Sequence, residues 1–449
     1  MERTPGRFHF VGIAGSGMSA LAQFLARKGA PVSGSDRSFD RGLFPESRAQ
    51  LEALGITLHP QDGSGVEGAG TVVLSTAIEP SIPDVAEAQR LGVTLLHRSE
   101  VLAALVATHR SIAITGTSGK STTVAMVFEI LKGLGQDPGL ITGGDLRALQ
   151  AEGHWGNAWA GESDLLVLEA DESDGSVVRY QPALGVVLNL QKDHKAEDEV
   201  LEMFRTFRLN CREHLVVAAS PDLADLHPGA ITFGPGSSWT LEAFEDTEAG
   251  SRFQVRGVAF ELPVPGRHNA ENALAALATC AALGLSLEAM VAPLARFQGV
   301  ARRFQEVGTA RGITVVDDFG HNPAKVAASL ATAASRSRRV LAVFQPHGYG
   351  PLRFLRTEFV RAFAASLRPQ DRLLFLPVFY AGGTVNPTPT SEEVVCDLVR
   401  LGSPAEAVAD RAALVARIAA EAREGDLVIV MGARDPSLSA LCREILAGL

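Results

Sequence analysis

Thr115-Gly116-Thr117-Ser118-Gly119-Lys120-Ser121-Thr122 decides how this chain is read. A short β-rich run, Ser111 to Thr115, precedes it, and a long helical pattern starts at Lys120. Strand, glycine-rich turn and helix in that order make the unit from which parallel α/β sheets are built. Backbone N–H groups in such a turn point at the start of the helix and can cradle phosphate oxygens. Lys120 is placed to reach β- and γ-phosphates, and the Ser121 hydroxyl to bind Mg²⁺. The common phosphate-loop spacing puts five positions between its two key glycines, counted first to second. Here Gly116 stands only three before Gly119, so the strict pattern fails. Anion binding at a helix N-terminus needs donors rather than that spacing, and a phosphate cradle remains the reading. The competing one is a plain turn with a solvated lysine.

Working outward, two further strands end in polar residues. Leu165 to Glu169 runs into Glu169-Ala170-Asp171-Glu172-Ser173-Asp174, and Gly185 to Asn189 into Asn189-Leu190-Gln191-Lys192-Asp193-His194. Ligands of open parallel sheets bind beyond the carboxyl ends of the strands, so both clusters fall where a site belongs. Carboxylates so close together repel unless a cation sits among them, and Mg²⁺ takes one or two carboxylates plus phosphates. That makes Ser121, Glu169 and His194 the candidate metal ligands. The bland alternatives are a solvated acidic loop and a hydrogen-bonded histidine.

Upstream, Phe8 to Ile13 is an apolar strand that leads into Gly12, Gly15 and Gly17, then a helix from about Met18 to Lys28. A second strand ends at Ser33 and is followed by Asp36. The arrangement is like a dinucleotide fingerprint with altered spacing, so a nucleoside diphosphate on that helix start stands against a simple tight turn. Downstream, Ala230 to Val264 is turn-rich and predicts antiparallel strands, and Asn269 to Leu283 an Ala-rich helix. Strands are predicted at Ile313 to Val316, Val340 to Phe344, Arg372 to Phe375 and Leu427 to Met431. The fold class is therefore α/β with three domains: a Rossmann-like domain over 1–107, a central phosphate-loop ATPase domain over 108–296, and a Rossmann-like domain over 297–449.

Bulk properties narrow the class. A chain of 449 residues exceeds one ordinary core. With 51 acidic against 41 basic residues the net charge is −10, which argues against nucleic acid as the main partner but not against nucleotides. No apolar run reaches the length of a membrane span. Cys211, Cys280, Cys396 and Cys442 lie far apart, which suits reduced thiols and a cytoplasmic protein, not a zinc site or disulfide frame.

Taken together, the motifs resemble those of the Mur ligase family, and within it the alanine-adding branch. The likeness runs through nearly the whole chain, in order: HFVGIAGSGMSALA from His9, VSGSD from Val32, STAI from Ser75, GTSGKST, EADESD, VPGRHNAENALAA from Val264, GVARRFQ from Gly299, DDFGHNP from Asp317 and FQPHGY from Phe344. The resemblance implies an ATP-dependent amide ligase that acts on UDP-N-acetylmuramate through an acyl-phosphate and adds L-alanine or another amino acid. ATP and Mg²⁺ are its implied cofactors. A UDP-sugar carboxylate and an amino acid or short peptide are its partners, and the chain is a monomer or weak dimer. Carried over by position, Lys120, Glu169, His194 and Arg303 are the catalytic set. Gly116 to Thr122, Asn269, Asn272, Arg303, Asp317, Asp318 and His321 are nucleotide contacts. Gly15, Ser16, Gly17, Met18, Asp36, Ser75, Ser173, His347 and Arg353 are substrate contacts.

Three departures from the family pattern stand out. Ser118 and Asn322 replace histidines. After His347 an arginine-rich H-R-Y-x-R-x-R pattern gives way to Gly348, Tyr349, Gly350, Pro351, Leu352 and Arg353, with two of three arginines gone. Those arginines would clamp the carboxylate of the incoming amine, so the amine stays open between L-alanine, another amino acid and a recycled tripeptide. A nucleotide-dependent oxidoreductase and a non-catalytic nucleotide-binding protein are the readings from other classes.

Overall fold

The computed structural model describes residues 6–193, 195–380 and 386–449, so His194 lies outside the described residues. Near the N-terminus, five parallel strands form one sheet in the spatial order Thr57–His59, Val32–Ser35, Arg7–Val11, Ala69–Leu74, Thr94–His97. The sheet reverses direction of growth at Arg7–Val11. The crevice beyond that strand is where the first glycine-rich turn sits.

The middle sheet has seven strands, ordered Ile231–Phe233, His214–Ala218, Leu184–Val187, Arg110–Thr115, Leu165–Glu169, Gly139–Ile141, Ala158–Trp159. All pairs are parallel except the last. Arg110–Thr115 lies between the two strands that end in polar clusters, so three loops open onto one point. The helix Lys120–Gly133 is buried on nearly every side, which its apolar composition requires. Three antiparallel strands, Glu242–Thr247, Gly250–Val255 and Val258–Leu262, follow where the turn-rich stretch predicts them.

The third sheet is ordered Gln305–Ala310, Ile313–Asp318, Asp426–Met431, Arg339–Phe344, Arg372–Phe375, Ala405–Ala407. Its first strand is antiparallel and was not anticipated from the sequence, because Gln305–Ala310 is half-exposed and carries little apolar signal. Arg147 N–H donates to the Gly299 carbonyl at 3.1 Å and Ala301 N–H to the Asp145 carbonyl at 2.8 Å, so the first residues after 297 are still hydrogen-bonded to the middle domain.

The first two domains share a core. Leu21 and Phe24 of the helix Ser16–Arg27 are buried in one cluster with Ile141, Ala158 and Leu166 of the middle sheet. Burying a side chain of that size stabilises by roughly 2–3 kcal/mol. A polar seam adds register: Gln23 Nε2 donates to Asn157 Oδ1 at 2.8 Å, and Asn157 Nδ2 to Ser19 Oγ at 3.0 Å. Among the described residues no helix is long and apolar enough to cross a membrane. All four cysteines are free thiols.

Candidate active site

The loops after three adjacent middle strands and three adjacent third-domain strands face one another across a cavity of about 1160 Å³. Gly119 starts the buried helix at φ +82° and offers no side-chain cap, so the first-turn N–H groups remain open to an anion. Thr117, Ser118, Gly119, Lys120, Ser121 and Thr122 all line the cavity. Gly116 does not. It sits behind the turn, at φ +133°, where an added Cβ would lie 3.0 Å from Leu188 Cβ, and its carbonyl accepts from Lys120 Nζ at 2.9 Å. Asn189 splints the turn from the neighbouring strand end, accepting from Thr117 Oγ1 and Ser118 N–H at 2.9 Å each and donating to the Ser118 carbonyl at 3.0 Å.

Lys120 Nζ stands 2.6 Å from Glu172 Oε2 and 3.6 Å from Asp171 Oδ1. Burial opposes its charge, but Glu172, Asp171 and Glu169 outweigh that and hold the ammonium above its usual range. It stays charged, parked on carboxylates that a phosphate can replace. Burial pushes the Glu172 carboxyl up against the pull of Lys120. Glu169 Oε2 accepts from Ser121 Oγ at 2.9 Å, Thr142 Oγ1 at 2.9 Å and Gly143 N–H at 3.0 Å. The register of the sheet makes this possible, since Ile114 pairs with Glu169.

From the third domain, Arg303 reaches Ser121 Oγ at 3.5 Å and lies over the Phe319 ring at 4.4 Å. Asp318, buried, accepts from Phe304 N–H, Gly320 N–H and Ser329 Oγ, each at 2.8 Å, which sets the turn that presents His321. Burial drives the His321 imidazole well below its usual range, so it faces the cavity neutral. His347 packs edge-on against it, ring centres 5.1 Å apart. Asn322 Nδ2 donates to Asp193 Oδ2 at 2.7 Å and Lys325 Nζ lies 3.2 Å from the same oxygen, which ties the two domains together.

Several expected contacts fall elsewhere. Asp317 does not line the cavity; it pairs with Arg302 at 3.3 Å and accepts from Ser439 Oγ, because strand alternation turns it to the face opposite Asp318. Arg353 also points away, its guanidinium donating to the carbonyls of Asn386 and Thr388. Met18 is buried in the shared core and does not line the cavity. Gly15, Ser16, Gly17, Asp36 and Ser75, expected as UDP-sugar contacts of the first domain, lie outside this cavity, and Gly15 to Gly17 and Asp36 border the first glycine-rich turn. Asp36 accepts from Ala14 N–H at 3.0 Å and Ser38 N–H at 2.8 Å, which fastens that turn to the next strand. Arg98 Nη2, which meets Asp174 Oδ2 at 2.5 Å, links this region to the acidic cluster. An added Cβ on Gly17 would stand 2.9 Å from Arg98 Nη1. Asn269, Asn272 and Ser173 line the cavity as expected positions, with Asn269 Nδ2 donating to the Pro265 carbonyl at 2.7 Å.

Glu172, Lys325, Arg98 and Arg434 were assigned no role from sequence. Lys325 follows His321 by one helical turn, a spacing that could have revealed it. Arg434 gave no local signal.

Comparison with known proteins agrees with this layout. Three family models match in order: Mur ligase family, catalytic domain, over residues 7–110; Mur ligase middle domain, over 114–280; and Mur ligase, glutamate ligase domain, over 302–434. The UDP-N-acetylmuramate–L-alanine ligase of Streptomyces griseus is 37% identical over 96% of this chain and 94% of its own length. That of Synechococcus elongatus is 35% identical over 95% and 93%. The crystal structure of UDP-N-acetylmuramate-alanine ligase from Thermotoga maritima superposes with a TM-score of 0.81 at 28% identity, covering 98% of each chain. A murein peptide ligase from Psychrobacter arcticus shares the fold, with a TM-score of 0.71 at 21% identity over 99% of this chain and 98% of that one. With its three domains matched in sequence order and near full length by these relatives, the chain belongs to the Mur ligase family.

Proposed function

We propose that this chain is an ADP-forming ligase that joins L-alanine to the carboxylate of UDP-N-acetylmuramate at the expense of ATP. The observation that carries the reading is the convergence of Lys120, Ser121, Glu169 and Arg303 on one cavity, with the relatives' shared activity as its support. A carboxylate does not condense with an amine in water at useful yield without activation. The sugar carboxylate attacks the γ-phosphorus of ATP, the bond to ADP breaks, and an acyl-phosphate forms. The amine then attacks the acyl carbon and inorganic phosphate leaves with the C–O bond electrons. Such chemistry asks for alignment and charge neutralisation more than for covalent help. Lys120 exchanges Glu172 for phosphate oxygens, and Arg303 stabilises the transferred group from the opposite wall.

Among the described residues no three His, Cys, Asp or Glu side chains converge as a metal site. Ser121 Oγ beside Glu169 is nevertheless a fitting donor set for Mg²⁺, which takes one or two protein oxygens and completes its shell with phosphates and water. Ser121 and Glu169 would hold the ion, with Thr142 orienting the carboxylate, and the ion would neutralise phosphate charge. Asp193, Asn322 and Lys325 hold the third domain closed over the site, which keeps water from the acyl-phosphate.

Phosphate release tests the reading. With ATP, Mg²⁺ and UDP-N-acetylmuramate present, release is expected only on adding an amine, with L-alanine preferred over glycine, L-serine and the recycled tripeptide. Release that stays at background with every amine overturns the activity, and a preference for the tripeptide overturns the choice of amine.

A further inference from the structure

The cations around the cavity are unevenly committed. Lys120 is held by Glu172, Lys325 by Asp193, and Arg303 donates to Ser121. Arg434 lines the same cavity, is solvent-accessible, and makes no hydrogen bond or ion pair with any described residue. The loop that carries it is fixed on both sides. Arg302 grips the carbonyls of Gly432 at 2.7 Å and Ala433 at 3.2 Å, and Asp435 is anchored by Arg411 at 2.6 Å and by Ser437 N–H at 3.0 Å. An arginine held between two anchored residues, its guanidinium in a cavity and unpaired among the described residues, is arranged to receive an anion.

Its surroundings say which anion. Phe344 pairs with Met431 across adjacent strands, so the segments three to four residues beyond each strand end run side by side. Arg434 therefore lies next to His347 and Gly348, on the third-domain wall. Gly348 has φ +147°, a backbone region that L side chains rarely adopt, and a Cβ built there would stand 3.8 Å from Arg434 Nη1. Position 348 cannot easily supply a cation in this geometry, and Arg434 brings a guanidinium to the same place from the neighbouring loop. The phosphates are met by Lys120 and Arg303. The remaining anion of the proposed reaction on this side is the carboxylate of the incoming amino acid.

We propose that Arg434 is the specificity-determining residue that binds the α-carboxylate of the amine substrate. The proposal rests on the ligase reading above and sharpens it, because a guanidinium kept for this purpose favours an α-amino acid over a peptide whose carboxylate lies far from its amine.

Steady-state kinetics of the full-length chain with ATP, Mg²⁺ and UDP-N-acetylmuramate test it, comparing L-alanine with L-alaninamide. Arg434→Gln is expected to raise the KM for L-alanine by about tenfold to a hundredfold, the worth of a lost charge-assisted pair. It should lower the preference for L-alanine over the amide by the same factor, while KM for ATP and the UDP-sugar stay within about twofold. Arg434→Lys should recover part of the loss, since it restores charge without the fork. Because the side chain has no partner among the described residues, the thermal midpoint of Arg434→Gln should match wild type. An unchanged KM for L-alanine, or an equal rise in KM for ATP, overturns the role of Arg434. A wild-type chain that consumes ATP with no amine overturns the ligase reading with it.

Discussion

Two glycine-rich turns in this chain share one local plan and differ in what surrounds them. Each follows a central parallel strand and opens a buried helix, Ser16–Arg27 in the first domain and Lys120–Gly133 in the middle one. The first is fastened by Asp36 and has Arg98 beside Gly17. The second carries its own lysine and meets Glu169, Glu172 and Arg303 within hydrogen-bonding reach. The difference teaches that a turn supplies donors for an anion, whereas reactivity depends on which strand ends lie beside it. A turn beside one arginine suits a diphosphate held still. A turn among charges of both signs suits a phosphoryl group that moves.

Removing the charge should separate the two most sharply. Lys120→Ala is expected to reduce ATP-dependent ligation by about a thousandfold or more while circular dichroism shows the folded protein. A folded variant with full turnover would disprove the role of the middle turn. Methyl insertion comes next. In Gly119→Ala the new Cβ meets Asn272 Oδ1 at 2.3 Å and the residue sits at φ +82°, so KM for ATP should rise about tenfold or more. In Gly17→Ala the obstacle is the far end of Arg98, which can move, so KM for the UDP-sugar should rise only about threefold. Equal effects would erase the contrast.

Stability, not turnover, separates the two helices behind the turns. The first buries a neutral amide, Gln23, with a partner. The second holds Glu129, whose carboxyl burial pushes up to about 8 from 4.5. Between those values the folded protein binds the extra proton, so stability falls as pH rises through that window. Glu129→Gln makes the helices alike. By thermal or urea unfolding it should be near wild type at pH 5 and more stable by about 1–3 kcal/mol at pH 9, allowing for partial solvent screening. An advantage over wild type no larger at pH 9 than at pH 5 would show that the carboxyl finds a partner when ionised.

Much of this was legible without coordinates. Leu165–Glu169, Arg339–Phe344 and Arg372–Phe375 sit at or within a residue or so of their expected places, and the helix begins at Lys120 as its pattern requires. Short apolar runs and glycine punctuation are local, so they survive folding unchanged. Gln305–Ala310 escaped notice because an edge strand with polar faces has no such pattern. The site was half visible. Lys120 and Ser121 at a helix start, and Glu169 at a strand end, stand in recognisable motifs and line the cavity as the sequence leads one to expect. Asp317 and Asp318 could not be told apart as neighbours in sequence, and only strand alternation sends one inward and the other toward Arg302.

Arg353 and Arg434 mark the boundary between the two kinds of knowledge. The family pattern after His347 favoured Arg353, yet its guanidinium is spent on the carbonyls of Asn386 and Thr388. Arg434 is distant in sequence and adjacent in space because Asp426–Met431 inserts between Ile313–Asp318 and Arg339–Phe344. The sequence by itself determined the α/β class, the three-domain plan and the glycine-rich turn that opens the middle helix, since these depend on periodicity and backbone freedom within a few residues. Strand order and register decided which charges share the cavity, because side chains hundreds of residues apart meet only once hydrogen bonding has set the strands side by side.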